Sequence, residues 1–296
     1  MSARNFLLIL ALGLCWGPAF MFMMIALNGF TPITIATLRV LIGATLIYAI
    51  MRLCGNHLRP HLKHWKHFAV MGFFASALPF CLFPYSEKFI PSSIAGIING
   101  TTPIFTALIA HFAISDERFS MRKLLSIIVG LFGLIIVFLP SLLDGLVGNE
   151  IGIMLATCAS LCYAIAMVYA KRHVCKLPFL VAPAGQLIFA SLFLIPVCLI
   201  YDRPFSLPMP SAGSVGAILG LGFISTAVTF SLYYTIIRRV GASYLSMSTL
   251  LFPVVAIFLG YVFLNESLNW TTFLGAALII SGLFISSPIK ILNKHH

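Results

Sequence analysis

Apolar stretches separated by short polar ones run the length of the chain. A helix of about 20 apolar residues crosses the hydrocarbon core of a bilayer. Ten such spans are predicted, at residues 6–27, 33–51, 68–89, 92–114, 122–142, 151–171, 179–200, 213–237, 242–264 and 270–286. The expected fold is all-α and integral to a membrane, with ten transmembrane helices.

The polar and aromatic landmarks in this pattern recur. Gly72 to Pro103 returns as Gly222 to Pro253 with no gap, at an offset of 150. Gly72, Phe73, Ala77, Phe80, Leu82, Ser93 and Pro103 meet identical residues there, seven of 32 positions. Upstream, Leu14-Cys15-Trp16 meets Leu161-Cys162-Tyr163 at offset 147, where Arg39 meets Gln186. Downstream, Glu117 and Gly133 meet Glu266 and Gly282 at offset 149. The chain reads as one unit written twice, at residues 1–144 (spans 1–5) and 145–296 (spans 6–10). Five spans per copy make the second copy enter from the opposite side. The expected architecture is therefore two inverted five-helix repeats, a common plan of secondary transporters.

Composition and charge sharpen this. The chain is 60% hydrophobic and 8% charged, against about 25% charged in soluble domains. The N-terminal run resembles a signal peptide, but its apolar stretch continues to Leu27 and it pairs with 151–171, so it is expected to be a retained first span. A net charge of +11 raises the question of nucleic acid, but the distribution of charge argues against it. With the N-terminus in the cytoplasm, cytoplasmic segments hold fifteen of the eighteen Lys and Arg. Lys88 and Arg203 fall outside and Arg39 lies within a span. This is the positive-inside pattern, and it places both termini in the cytoplasm.

Few polar residues remain inside the spans. Arg39 is the Lys or Arg placed deep in one, and buried ionisable groups in membranes mark function. Trp16 sits beside Pro18. Pro18, Pro79, Pro84, Pro103 and Pro253 interrupt spans and are candidate helix breaks or gates. Candidate substrate-binding residues are Trp16, Arg39, Phe80, Tyr85, Asn99, Thr102, Tyr163, Gln186, Phe230, Tyr234, Ser248 and Phe252. Aromatic walls with few polar points suit small amphipathic ligands. The seven acidic residues lie in loops or at span ends, so proton coupling, if present, is expected through Glu87 or His111. His57, His61, His64 and His67 lack a completing Cys or carboxylate, and no metal site is expected there. The sequence contains no nucleotide-binding, zinc or catalytic-triad pattern, so transport would be secondary or passive.

Trp16-Gly17, Arg39, Pro103 followed by Ser115-Asp116-Glu117-Arg118, and Pro253 followed by Leu264-Asn265-Glu266 resemble the drug/metabolite transporter superfamily, in its EamA-like ten-helix family. That family usually has Gly before the Glu, where Asp116 and Asn265 stand here. The resemblance implies two EamA domains, an inner-membrane location, and a central cavity lined by spans 1, 3, 4, 6, 8 and 9. It also implies movement of small metabolites, often export of amino acids or related compounds. The expected function is a permease working by alternating access. An intramembrane enzyme or a non-transporting receptor or assembly protein is the alternative. Expected partners are a small molecule, the bilayer and a second copy of the chain, with no nucleic acid and no cofactor.

Overall fold

The computed structural model describes residues 3–90, 92–115, 120–144, 150–204, 209–251, 254–255 and 270–286. Its principal helices are α1 (Ala3–Trp16), α2 (Pro18–Leu27), α3 (Pro32–Leu53), α4 (Trp65–Gly72), α5 (Leu78–Ser86), α6 (Ser92–Asn99), α7 (Thr102–Ala113), α8 (Met121–Asp144), α9 (Glu150–His173), α10 (Val181–Val197), α11 (Ala212–Gly222), α12 (Thr229–Val240), α13 (Ala242–Ser246) and α14 (Trp270–Ser286). Among the described residues, six continuous helical segments are long and apolar enough to cross a membrane: Arg4–Leu27, Pro32–Leu53, Arg59–Ser86, Glu150–His173, Val181–Asp202 and Ala212–Val240. The expected span 92–114 is two helices, α6 and α7, parted at Gly100. Residues 252–253 and 256–264 of the expected span 242–264, with the Leu264–Glu266 motif, lie outside the described residues, as does 116–119 of the motif after Ser115.

Proline sets several of the breaks. Pro18 opens α2 just after Gly17, and Pro103 stands in the first turn of α7, where a missing N–H costs nothing. Pro79 stands at the start of α5, after a wide π turn at Phe73–Ala77. A proline at 79 cannot donate to the carbonyl of Ala75. Yet the same wide turn recurs 150 residues on, at Phe223–Val228, where Thr229 replaces Pro79. There Thr226 Oγ1 donates to Leu221 O at 2.8 Å, and Thr229 Oγ1 to Thr226 O at 3.1 Å. Hydroxyls thus accompany the later turn where proline follows the earlier one.

Both wide turns follow a glycine at a close crossing. A Cβ on Gly72 would come within 2.8 Å of Gln186 O and Ala190 N on α10. One on Gly222 would meet Ile42 of α3 at 2.5 Å. The pairing of α8 with α14 repeats the idea. A Cβ on Gly133 would lie 2.7 Å from Gly275 O, and one on Gly282 2.8 Å from Ser126 O. Ser126 Oγ also donates to Gly282 O at 2.5 Å. These small residues let α8 and α14 approach closely within the chain.

The basic residues Arg52, Lys171, Arg172 and Arg238 share one end of the helices, where His67 bonds Tyr169 (2.7 Å) and stacks on His173. Arg238 donates to Leu177 O there. At the opposite end Asp202 caps α3, accepting from Thr34 N (2.9 Å), Thr34 Oγ1 (3.0 Å) and Thr31 Oγ1. A carboxylate at a helix N-terminus satisfies free N–H groups and complements the dipole. The third expected span differs at its ends: its α-helix starts at Trp65 rather than residue 68 and stops at Ser86, leaving Glu87 to Phe89 in a turn beyond it. Two apolar clusters fill the interior, and Trp16 and Tyr163 pack against both.

Candidate functional site

Between the two clusters lies an internal cavity. Its wall is Trp16, Ala19, Phe20 and Met23 from α1 and α2; Arg39 from α3; Pro79, Phe80 and Phe83 from α5; Asn99 from α6; Tyr163 and Met167 from α9; and Thr249. Its volume is about 40 Å³, room for two or three waters at about 15 Å³ each. An organic metabolite enters only after the helices move apart.

Arg39 is the charged residue of this wall. It is 4% exposed. Its Nε donates to Thr226 Oγ1 and its Nη2 to Ser225 O, both at 2.9 Å, in the wide turn between α11 and α12. The guanidinium lies flat on the Phe80 ring, 3.7 Å from the centroid. Arg has five N–H donors, and Nη1 makes no hydrogen bond among the described residues. No carboxylate pairs with it among them either. An unpaired cation held out of water costs several kcal/mol, and the ring quadrupole and two hydrogen bonds offset part of that.

At offset 147 from Arg39 stands Gln186, whose Nε2 donates to Ser76 Oγ at 2.8 Å. Ser76 precedes Thr226 by 150 residues. The bond from α3 to the second wide turn thus has a counterpart from α10 to the first. Aromatic contacts repeat in the same way. Trp16 meets Tyr233 edge-on at 6.2 Å, while Tyr163 stacks on Phe83 at 5.8 Å. Phe80 faces Phe230 at 6.4 Å.

Eleven of the twelve expected binding residues are described, and they divide into three groups. Trp16, Arg39, Phe80, Asn99 and Tyr163 come together on the cavity wall. Gln186, Phe230 and Tyr234 form a layer beneath it toward the basic end, tied by Tyr234 OH donating to Gln186 Oε1 at 2.6 Å. Below this layer a second space of about 270 Å³ opens past Tyr234, Ser231, Arg238 and Arg239. Tyr85, Thr102 and Ser248 do not reach the cavity. Tyr85 lies under Lys88, 5.2 Å from its ring. Thr102 bonds back to Asn99 O across the break between α6 and α7, and Ser248 to Leu245 O in the turn before it. Phe252 and Pro253 lie outside the described residues. Short hydroxyl side chains in a helix often bond the preceding turn, and so spend their single donor there.

Ala19, Phe20, Met23, Phe83, Met167 and Thr249 were missed. Helical spacing would have found most of them, since 16, 19, 20 and 23 share one face, as do 80 with 83 and 163 with 167. Of the two proton-coupling candidates, His111 is exposed at the basic end, in a cleft with Lys171, Arg172, Lys176 and Arg238. Glu87 sits at the other end with both carboxyl oxygens buried.

A sequence model of the EamA-like transporter family matches residues 4–139 and 150–287. The uncharacterized transporter YoaV of Bacillus subtilis strain 168 is 26% identical over 283 residues, covering 94% of this chain and 95% of that one. The uncharacterized inner membrane transporter YedA of Escherichia coli K12 is 26% identical over 273 residues, covering 91% and 86%. A solved crystal structure of a protein 18% identical superposes with a TM-score of 0.78, covering 97% of this chain and 98% of that one, which bears on the fold alone.

Proposed function

Because the chain belongs to the EamA-like transporter family, we propose that it is a permease that exports a small amphipathic metabolite bearing a carboxylate, such as an amino acid or related compound. The observation that carries this reading is Arg39: a buried guanidinium on a cavity wall, stacked on Phe80, with no carboxylate partner among the described residues. A carboxylate accepting from Nη1 would neutralise it, with charge-assisted bonds stronger than neutral ones.

Transport proceeds by alternating access between two inverted halves, 1–144 and 145–296. Support comes from contacts that recur at the repeat offsets: Arg39 to Thr226 with Gln186 to Ser76, and Trp16 to Tyr233 with Tyr163 to Phe83. A contact that closes one face has a relative placed to close the other. The Tyr234–Gln186–Ser76 layer closes the cytoplasmic side in this conformation. The prolines at 18, 79, 84 and 103, with the wide turns, supply the hinges. The protein resides in the inner membrane, as the printed name of YedA has it for that relative, with both termini cytoplasmic.

Metabolite profiling of medium and cells with and without the protein tests the reading. A carboxylate that builds up in the medium when the protein is produced, and in the cells when it is lost, is the expected outcome; unchanged profiles contradict it. Orientation has its own test. In a cysteine-free background, His61→Cys is expected to resist an impermeant maleimide in intact cells and to react after lysis. A cysteine placed between α8 and α9, at residues 145–149, is expected to react in intact cells. Rapid labelling at 61 from outside would overturn the topology.

A further inference from the structure

We propose that Glu87 is a proton-binding site that holds the outer mouth of the cavity closed, an inference that rests on the permease reading for its topology. Glu87 follows α5, and its N–H donates to Phe83 O at 3.0 Å. Residues four apart on a helical turn share a face, so Glu87 stands one turn outward of Phe83. Phe83 lines the cavity and packs on Tyr163 and Phe20. Glu87 is therefore placed directly above the aromatic closure of the outer side.

Both Glu87 oxygens are buried without a hydrogen-bond partner among the described residues. The charged and titratable groups on the surrounding elements are otherwise engaged or bear no bond to it. Lys88 turns onto Tyr85. Asp202 caps α3, and Arg39 is bound to Thr226 and Ser225. On α9, Tyr163 stacks on Phe83, and Glu150, Cys158 and Cys162 make no bond to Glu87. Phe89 and Ile90, two and three residues beyond Glu87, press on Gly152 of α9, where a Cβ would meet them at 2.9 and 2.8 Å. The turn is thus clamped over a carboxyl that has no counter-charge.

An ionised carboxylate in such a place bears a desolvation cost that nothing repays, whereas the neutral acid avoids it. Burial alone pushes Glu87 up to about 8. In the closed conformation the carboxyl holds its proton. Once the mouth opens to water, the carboxyl hydrates and releases the proton to the outer medium. Acid outside therefore favours closure and alkali favours opening. In the second half the corresponding position, at offset 150, is the fully buried Ile237, so Glu87 has no titratable counterpart at that position.

Trp16 reports the state of the cavity. With Trp65→Phe and Trp270→Phe as background, the full chain in lipid nanodiscs is titrated from pH 5 to 9 with acrylamide as quencher. Quenching of Trp16 is expected to rise with pH across the window between the hydrated carboxyl's 4.5 and the buried one's value of about 8. In Glu87→Gln, which mimics the protonated acid, quenching should stay low throughout. Thermal unfolding gives a second readout. Between pH 4.5 and 8 the folded chain holds a proton that the unfolded chain has lost, so this site's contribution to stability falls as pH rises. Glu87→Gln is expected to melt with its parent at pH 5 and above it at pH 9. An equal pH-dependent rise in quenching with and without Glu87, a parent with no rise, or a melting difference constant across pH would each overturn the proposal. None of these outcomes depends on whether a metabolite moves, so the permease reading stands or falls separately.

Discussion

Arg39→Gln is expected to abolish net transport at low substrate concentration and to leave the protein at least as stable as its parent. Hydrogen bonds to charged groups are worth about 1.5–3 kcal/mol, roughly 10- to 150-fold in affinity. The half-saturating concentration should rise by that factor. Stability should move the other way, because removing an uncompensated buried charge is neutral or favourable. Glutamine can still reach Thr226 Oγ1, as Gln186 reaches Ser76 in the other half. Arg39→Lys keeps the charge but loses the flat contact with Phe80 and the forked donors; an intermediate loss is expected. A structural arginine would behave in reverse: melting temperature would fall with Arg39→Gln, and transport per folded molecule would hold. Unfolding and uptake assays on the same preparations separate the two.

The second large effect is on the scaffold. Gly282→Val is expected to lower the melting temperature by on the order of 10 °C, from roughly 3 kcal/mol of overpacking. Backbone atoms block the new side chain: Ser126 O at 2.8 Å and Gly130 N at 2.9 Å. Neither can turn aside as a flexible side chain would, so α8 and α14 must separate and the bond from Ser126 to Gly282 O is lost. Gly133→Val should do the same against Gly275 and Ile279. Gly216→Ala, where nothing stands within 4 Å, is the control and is expected to be neutral or slightly stabilising. Equal behaviour of all three would place the glycines at an interface outside the chain instead.

Six of the ten expected spans were legible, because their solvent leaves few choices. A lipid-facing backbone must satisfy its own hydrogen bonds, so long apolar runs become helices. Arg39 was legible for the same reason: a cation deep in a span has few structural uses. Trp16, Phe80, Asn99 and Tyr163 were found as aromatic or amide groups too large to ignore. Thr102 and Ser248 misled because a hydroxyl in a sequence looks the same whether it bonds a ligand or the preceding turn; only geometry shows the bond to Asn99 O or Leu245 O. Phe20, Met23, Phe83 and Met167 were hidden among similar residues, where spacing, not identity, marks the face. The wide turns were beyond reach. Pro79 points to the first, but the second rests on Thr226 and Thr229, which read as ordinary span residues. Burial of the Glu87 oxygens depends on how the turn folds onto Gly152, and no local pattern encodes that.

The central claim is that a carboxylate-bearing metabolite passes through the cavity by way of Arg39. The most direct measurement loads liposomes containing the pure protein with a cell metabolite extract and identifies by mass spectrometry what leaves. The parent is expected to release a small set of carboxylates that protein-free liposomes retain, and Arg39→Gln is expected to retain them too. Release profiles from the parent indistinguishable from those of protein-free liposomes would contradict the account, as would release from Arg39→Gln equal to that from the parent.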